Sequence, residues 1–422
     1  MTNPFATPLT PASADSPLPA RAWLLVGMLW VVGCLNYLDR VMLITMRGSI
    51  KEAIPMTDAQ FGLLTTLFLF VYGALSPIGG FLADRFSRSG IILISLFTWS
   101  VTTWLTAHAT TFNGLLLTRA LMGISEACYL PAAGALIADY HRNKTRSLAN
   151  GIHLSGVMVG SALGGLGGWM AEQYDWTFAF KFFGIGGVLY TVVLMCFLRD
   201  RPRQVTEAGT ENATGNRVRM WEAIRSLFSR WEFTVAMLFW GFLGIASWAF
   251  VGWMPTYLSE TFNLPQGKAG LTTTLYIYSG SLVGMIVAGA WSDRWSRTNP
   301  QGRMWVGFIG LCVTAPAVLL VANSTVLGIT IVALVVYGIT RAFPDVNMMP
   351  IICQITDVRY RATGLGILNA FATFVGGATI YIGGALRDAH VDIKIVFQCG
   401  AGGLVLCMFL LYLIRPKTMP VE

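Results

Sequence analysis

Six charged residues stand out inside stretches of this sequence that are otherwise apolar. They are Asp39, Arg40, Arg119, Glu126, Arg341 and Asp345. A charge at the centre of a bilayer costs at least about 2.5–3.5 kcal/mol, so such residues persist where they pair, face water or perform a function. An arginine binds a carboxylate by two parallel hydrogen bonds, and a carboxyl group shielded from water can take up and release a proton. These residue types therefore indicate anion binding coupled to proton movement.

Five of the six residues divide into two roles. We expect Arg40 and Arg119 to bind a carboxylate substrate, and Arg341 is a further candidate for the same role. Asp39 and Glu126 are the candidates for carrying the coupling proton. An arginine favours the ionised form of a nearby carboxyl group, so a substrate anion that competes for the arginine would favour the protonated form. Substrate and proton would be coupled in this way.

A structural role is the alternative for each charged residue. Buried ion pairs add little net stability, but breaking one is costly, so these pairs could simply fix how helices pack. Arg341 and Asp345 are four residues apart, which places them on one helix face where they could neutralise each other. We also consider Asp345 a candidate for gating.

Twelve apolar stretches carry these charges and the rest of the chain. They lie near 22–46, 58–83, 89–107, 112–138, 147–171, 177–198, 231–258, 267–291, 304–322, 325–353, 362–386 and 393–414, and we number them spans 1 to 12. Each is long enough to cross a bilayer as a helix. Membrane β-strands would alternate over about 10 residues, whereas these stretches are longer and apolar on all sides. The predicted fold class is an all-α polytopic membrane protein.

The composition excludes several other classes of protein. Charged residues make up 12% of the 422 residues and hydrophobic residues 55%. Soluble domains carry about 25% charged residues, so a soluble enzyme, a disordered regulator and a secreted disulfide scaffold are excluded. The seven cysteines all fall in spans, without metal-ligand spacing. We predict no metal and no bound cofactor.

The basic residues predict the orientation in the membrane. Roughly two thirds of the 29 lysines and arginines fall in loops on the same side as the two termini. This bias predicts cytoplasmic termini in a bacterial inner membrane. The segment 1–21 lacks a basic region before a short apolar core, so it is predicted to be a disordered tail and not a signal peptide. Nucleic-acid binding is not expected, because the basic residues are scattered over many loops.

An internal repeat divides the chain into two halves. A polar linker at 199–230 separates spans 1–6, residues 22–198, from spans 7–12, residues 231–414, and a short tail follows at 415–422. The loop sequence Gly80-Phe-Leu-Ala-Asp-Arg-Phe-Ser-Arg recurs as Gly289-Ala-Trp-Ser-Asp-Arg-Trp-Ser-Arg. A second match, at one constant offset, pairs Gly123-Ile-Ser-Glu with Gly338-Ile-Thr-Arg, so Glu126 corresponds to Arg341. We expect these two residues to face each other across a pseudo-twofold axis.

The duplicated loop motif and the twelve-span plan resemble the major facilitator superfamily. Within it, Asn36-Tyr-Leu-Asp-Arg in span 1 and Arg119-x-x-x-Gly-x-x-Glu-Ala in span 4 resemble the anion:cation symporter branch. Spinster-type lipid transporters are similar in the same two spans. In both loop motifs a serine, Ser87 or Ser296, replaces the usual glycine. The resemblance implies two pseudo-symmetric six-helix bundles, with spans 1, 4, 7 and 10 around a central cavity and the proton and anion roles at the matching positions.

The predicted conformational switch consists of charged residues in loops on the same side of the membrane as the two termini. They are Asp84, Arg85, Arg88, Asp293, Arg294, Arg297, Arg146 and Arg361. An aspartate there can cap a facing helix, and the arginines can bridge to acidic groups such as Asp139 and Asp357. These contacts would hold one conformation and break in the other. The alternative is that the arginines only anchor the loops on the cytoplasmic side.

The predicted function is proton-coupled symport of a small organic anion, such as a sugar acid or another carboxylated sugar. Tyr37, Tyr72 and Asn369 are further candidates for substrate binding. No nucleotide-binding loop or catalytic constellation occurs, so we predict a transporter and not an enzyme. The expected partners are the anion, protons and the lipid bilayer, and the functional unit is expected to be a monomer. The alternative function is export of a lysolipid, another amphiphile or a drug, although Ser161 stands where drug exporters carry a proline.

Overall fold

A computed structural model describes residues 20–141, 143–200, 220–299, 301–357 and 360–414. The predicted tails at 1–21 and 415–422 lie outside the described residues, except for residues 20–21. Of the predicted linker, residues 201–219 also lie outside them. The described end of the linker forms a short helix, Met220–Phe228, whose Ala223 and Leu227 are buried in the core of the second half.

Twelve helical segments, each long and apolar enough to cross a membrane, follow one another along the described chain. Spans 1 to 6 are Ala20–Thr45, Asp58–Arg85, Arg88–Thr106, Phe112–Glu126 with Tyr129–Tyr140, Asn143–Leu163 with Gly165–Gln173, and Trp176–Phe197. Spans 7 to 12 are Trp231–Phe262, Gln266–Trp295, Gly302–Asn323, Leu327–Ile355, Arg361–Asp388 and Ile393–Leu413. A short helix, Arg47–Ala53, follows span 1. The described residues contain no strand, and the predicted all-α polytopic class is confirmed.

Span 4 is interrupted after Glu126, because Pro131 has no N–H to donate to the carbonyl of Ala127 four residues earlier. Span 2 packs directly against this interruption. A Cβ atom at Gly79 would stand 2.6 Å from the Ala127 carbonyl oxygen, so only glycine permits the contact. The proline and the glycine together fix where Glu126 ends its helix.

The spans of each half pack mainly against one another. In the first half span 1 packs against span 5, span 3 against span 6, and span 2 against span 4. In the second half span 7 packs against spans 11 and 12, and span 10 against spans 8 and 9. Two pairs form most of the contact between the halves: span 2 with span 11, and span 5 with span 8. These joining spans are related by the internal repeat, so the interface between the halves is itself pseudo-symmetric.

Glycines allow the closest of these approaches. A Cβ atom at Gly160 of span 5 would lie 2.0 Å from the Cys34 carbonyl oxygen of span 1. Small residues at four-residue spacing permit such contacts between membrane helices. Span 1, which carries Asp39 and Arg40, is therefore held at a fixed distance from span 5.

Candidate functional site

Arg40 and Glu126 form a buried ion pair between spans 1 and 4. The Arg40 Nε to Glu126 Oε2 distance is 2.7 Å, and the two side chains are 8% and 0% exposed. Among the described residues, Arg40 Nη2 and Glu126 Oε1 have no hydrogen-bond partner. These two atoms can take a new hydrogen-bond partner, and the carboxylate oxygen can take a proton, without losing an existing bond.

Three aromatic rings surround the Arg40 guanidinium. Its central carbon lies 4.6 Å from the ring centroid of Tyr37, 5.0 Å from that of Phe68 and 4.2 Å from that of Tyr72. Each distance is within the range of a cation–π interaction. Tyr37 and Tyr72, both predicted to bind substrate, therefore contact Arg40 directly. A substrate anion could reach Arg40 only after this aromatic cage or the Glu126 pair rearranges.

Asp39 and Arg119 belong to a second buried cluster inside the first half. Thr103 of span 3 donates a hydrogen bond to Asp39 Oδ2 at 3.1 Å. Arg119 Nη2 donates to Thr106 Oγ1 at 3.3 Å, and its guanidinium lies 5.6 Å from the Phe180 ring centroid. Both charged residues are buried. This cluster lies among spans 1, 3, 4 and 6, so neither residue lines the central cavity described below.

The Thr103 hydroxyl donates a hydrogen bond to the buried Asp39 carboxylate, and we therefore expect Thr103→Val to destabilise the protein. Leaving a buried acceptor without its donor costs about 1–3 kcal/mol. The measurement is the melting temperature of the purified protein in detergent. Thr102→Val is the matched control, because Thr102 donates only to the Thr98 carbonyl of its own helix. An equal fall in melting temperature in both variants would show that the hydrogen bond from Thr103 to Asp39 does not stabilise the protein.

A central cavity of about 200 Å³ lies between the halves. Its walls are formed by Tyr37, Met158, Ser247, Trp248, Val251, Ile277, Tyr278, Ser281, Met285, Tyr337, Arg341, Ala342 and Asp345. Arg341 Nε donates to Ser247 Oγ at 2.5 Å, and Arg341 Nη1 lies 2.7 Å from Asp345 Oδ2. Tyr37 belongs both to this cavity and to the cage around Arg40, and so connects the two sites. Asn369 is exposed on span 11 and is not part of the cavity wall.

Contacts between the halves are concentrated on the side of the molecule away from the termini, which we call the opposite face. Six charged residues there form the opposite-face network: Arg47, Lys51, Asp58, Glu260, Arg387 and Asp388. Asp58 pairs with Arg47 and Lys51 of its own half. It also pairs with Arg387 of the other half, where Arg387 Nε lies 2.9 Å from Asp58 Oδ2. Among described residues, every hydrogen bond between the halves lies in the part of the molecule nearer this face.

The network also caps a helix across the interface. The Asp388 carboxylate accepts hydrogen bonds from the backbone N–H groups of Asp58 and Ala59, both at 2.8 Å. These N–H groups belong to the first turn of span 2 and have no partner within that helix. Arg387 binds Glu260 of its own half through Nη1 at 3.0 Å and Nη2 at 2.7 Å. The opposite face is therefore closed by ion pairs and by a helix cap.

The sequence matches the family profile of the Major Facilitator Superfamily in two overlapping segments, residues 29–312 and 254–422. Together these segments cover most of the chain. The chain belongs to the Major Facilitator Superfamily. It is thus a membrane transporter and not an enzyme, as predicted. The predicted similarity to spinster proteins is also confirmed.

Two curated relatives and one solved structure illustrate the similarity. Spinster homolog 1 of Bos taurus is 29% identical over 311 residues, which are 69% of this chain and 58% of the relative. A probable sulfoacetate transporter of Cupriavidus necator is 23% identical over 359 residues, 82% of this chain and 83% of the relative. The chain thus spans less than two thirds of the length of the spinster relative.

The solved structure is a bacterial homolog of the human lysosomal transporter spinster, in an inward-facing and occupied conformation. It superimposes with a TM-score of 0.78 at 19% identity, covering 96% of this chain and 100% of that one. At this identity the match shows the fold alone. The predicted major facilitator fold is confirmed.

The loop motifs of this superfamily lie on the termini face of the chain. Arg88 pairs with Asp139, as predicted, and Asp293 pairs with Arg303 at 2.9 Å. Arg361 donates to the Cys353 carbonyl at 2.8 Å. Each of these contacts joins residues of the same half.

The remaining loop residues of the predicted switch are at the surface. The exposed ones are Arg85, Arg146, Arg294 and Arg297. The side chain of Asp84 lies outside the described part of the structure. The predicted switch residues therefore lie on the termini face, whereas the described hydrogen bonds between the halves lie nearer the opposite face.

Sequence reasoning missed the opposite-face network. A signal was present, since few basic residues are predicted on that side and Arg47, Lys51 and Arg387 are three of them. The partners Asp58 and Glu260 stand at the ends of predicted spans. Periodicity could not pair them, because the two carboxylates come from different halves of the chain.

Proposed function

We propose that this transporter couples the movement of a small organic anion to that of a proton. The observation that carries the proposal is the buried Arg40–Glu126 pair, which contacts the central cavity through Tyr37. A carboxylate in this position can exchange its arginine partner for a proton. The cavity supplies a second arginine, Arg341, for the anion.

We further propose that the termini are cytoplasmic and that the membrane is a bacterial inner membrane. The excess of basic residues on the termini side supports this orientation. The opposite face, closed by the ion-pair network, is then the outside. The structure corresponds in this orientation to an inward-facing state, and the loop motifs would join the halves when the cavity opens outward.

Coupling follows from the electrostatics of the pair. Protonation of Glu126 would cancel its negative charge and leave the Arg40 guanidinium with aromatic partners only. An unpaired cation in a buried site attracts an anion strongly, because solvent screens it little. Loss of the proton would restore the pair and remove this attraction for the anion. Asp39, held by Thr103, is the second candidate for a proton.

The inward proton gradient would drive uptake under this scheme. Glu126 would be protonated from the outside in the outward-facing state and would release its proton in the inward-facing state. The two six-helix bundles would rock about the central cavity between these states. Only the transporter that carries both the proton and the anion, or neither of them, would reorient. With one of the two bound alone, a buried charge would be left without a partner.

Export of a lysolipid or another amphiphile is the second candidate function. The similarity to a spinster homolog and the largely apolar walls of the cavity favour it. The volume of the cavity favours the anion, because sites for drug-sized ligands usually measure about 300–1,000 Å³. A long acyl chain would have to extend out of the cavity between spans.

Uptake into proteoliposomes under an imposed pH gradient tests the proposal. The panel contains labelled sugar acids, aromatic carboxylates and a lysophosphatidic acid. We expect one of the carboxylates to accumulate when the outside is acidic, and accumulation to stop when a protonophore collapses the gradient. If no anion accumulates while the lysolipid is transported, the symport proposal fails and the amphiphile function replaces it.

A further inference from the structure

We propose that the anion binds at Arg341, and that Asp345 occupies this site as an internal substitute for the substrate when the transporter is empty. This inference rests on the proposed function and names the binding residue within it. Arg341 is the arginine that forms part of the cavity wall, and Asp345 is its carboxylate partner there. A substrate carboxylate would take the place of the Asp345 carboxylate.

The geometry of Arg341 suits such an exchange. A guanidinium has five N–H donors, and the Ser247 hydroxyl and Asp345 engage only two of its three nitrogens. The Arg341 side chain is 15% exposed, whereas that of Asp345 is 48% exposed. Asp345 can therefore turn into water at little cost, while Arg341 stays in place. Ser247 fixes the orientation of the guanidinium during the exchange.

The other two arginines are less suited to receive the anion first. Arg40 is covered by three aromatic rings and paired with a fully buried carboxylate. Arg119 is buried within the first half and donates to Thr106. Neither is part of the cavity wall. An anion entering the cavity in this conformation meets Arg341 and not the arginines of the first half.

The cavity wall indicates the chemical class of the anion. Trp248, Val251, Ile277, Tyr278 and Tyr337 present apolar or aromatic surface around the charged pair. The wall also offers the hydroxyls of two serines and three tyrosines, but a polyhydroxylated body would still lay much of its polar surface against apolar side chains, which is costly. A single arginine matches a single negative charge. The site therefore fits a small monoanion with an aromatic or apolar body better than a sugar acid.

Binding to the purified full chain in lipid nanodiscs, without any gradient, tests the site. The probe is 2-naphthoate, measured by calorimetry, with its neutral amide, gluconate and lysophosphatidic acid as comparison ligands. We expect 2-naphthoate to bind most tightly. Arg341→Gln should weaken its binding about tenfold or more, and Asp345→Asn should tighten it about 3- to 10-fold because the internal competitor loses its charge. Arg225→Gln, which changes an exposed arginine of the short helix before span 7, is the control and should bind as the unmodified protein does.

Several results would overturn the assignment. Arg341→Gln with undiminished binding, or Asp345→Asn with weakened binding, would remove Arg341 as the anion site. Tighter binding of gluconate or lysophosphatidic acid would remove the proposed class. If Arg341→Gln does not fold, the affinity of Asp345→Asn for 2-naphthoate still tests whether Arg341 binds the anion. Binding as expected without gradient-driven uptake would contradict the proposed function and still support Arg341 as the site. Gradient-driven uptake with binding that does not depend on Arg341 would support the proposed function and contradict Arg341 as the site.

Discussion

Replacing Glu126 by glutamine is expected to abolish accumulation of the proposed anion substrate under a pH gradient. The glutamine amide cannot exchange a proton, and it cannot neutralise Arg40, which stays buried in its aromatic cage. Breaking a buried ion pair by removing one partner costs about 3–5 kcal/mol, so we also expect a lower melting temperature. The measurement is the final ratio of internal to external anion in proteoliposomes with an acidic exterior.

Two controls separate coupling from folding in this experiment. Exchange of labelled for unlabelled anion at equal pH requires no net proton movement, so the Glu126→Gln protein should retain measurable exchange. Glu222→Gln changes an exposed glutamate of the short helix before span 7 and should accumulate the anion as the unmodified protein does. Asp39→Asn should also abolish accumulation if both carboxylates carry protons. Unchanged accumulation in Glu126→Gln and Asp39→Asn together would remove both as coupling residues.

Removing the carboxylate of Asp388 should open the opposite face. This carboxylate caps the first turn of span 2 from the other half of the chain. Loss of a helix N-cap costs about 0.5–2 kcal/mol. If that cost falls only on the closed state, the ratio of open to closed molecules rises between about twofold and about 30-fold. Asp388→Ala is therefore expected to populate the outward-open conformation.

The charges around Asp388 explain why this face can open at all. Arg47, Lys51 and Asp58 leave the first half with one net positive charge, and the group formed by Glu260, Arg387 and Asp388 leaves the second half with one net negative charge. The halves attract each other when closed. After separation Asp58 keeps its own-half cations and Arg387 keeps Glu260, whereas Asp388 loses its two N–H partners but is exposed to water. Such an arrangement closes the face without making opening prohibitively costly.

Distances between spin labels measure this shift. Labels at Ala53→Cys and Ala389→Cys, in a background without the native cysteines, report the separation of the halves at the opposite face. Asp388→Ala should add a population at longer distance. Asp392→Ala is the matched control, because Asp392 caps span 12 of its own half by accepting from the Lys394 N–H at 2.9 Å. Identical distance distributions in the two variants would contradict a role for Asp388 in closure.

Much of the fold could be predicted from the amino-acid sequence. Continuous apolar stretches of about 20 residues have one stable solution in a bilayer, which is a helix with all backbone groups bonded internally. The number of spans, their approximate ends and the division into two repeated halves follow from this constraint. The interruption of span 4 was not predicted, since a proline in a membrane helix can be accommodated with or without a break. The break in span 5, at Gly164, was not predicted either, and that span contains no proline. Pro344 and Pro350 lie inside an unbroken span 10.

The sequence also identified which residue types carry the charge inside the membrane, because each isolated charge among apolar residues is costly and therefore conspicuous. It could not decide their partners. Asp39 and Arg40 are neighbours in the chain, yet successive residues on a helix point about 100° apart. Asp39 therefore meets Thr103 of span 3, while Arg40 meets Glu126 of span 4. Helices that are apolar on all sides give no periodic signal for their rotation.

Tertiary structure alone decided which charges face the cavity and which faces of the molecule are joined. Arg341 lines the cavity and Arg119 does not, although both are arginines within spans. The network that closes the opposite face unites Asp58 with Arg387 from the other half of the chain. Such contacts depend on how two rigid bundles are placed against each other. That placement changes during transport, so no local property of the sequence determines it.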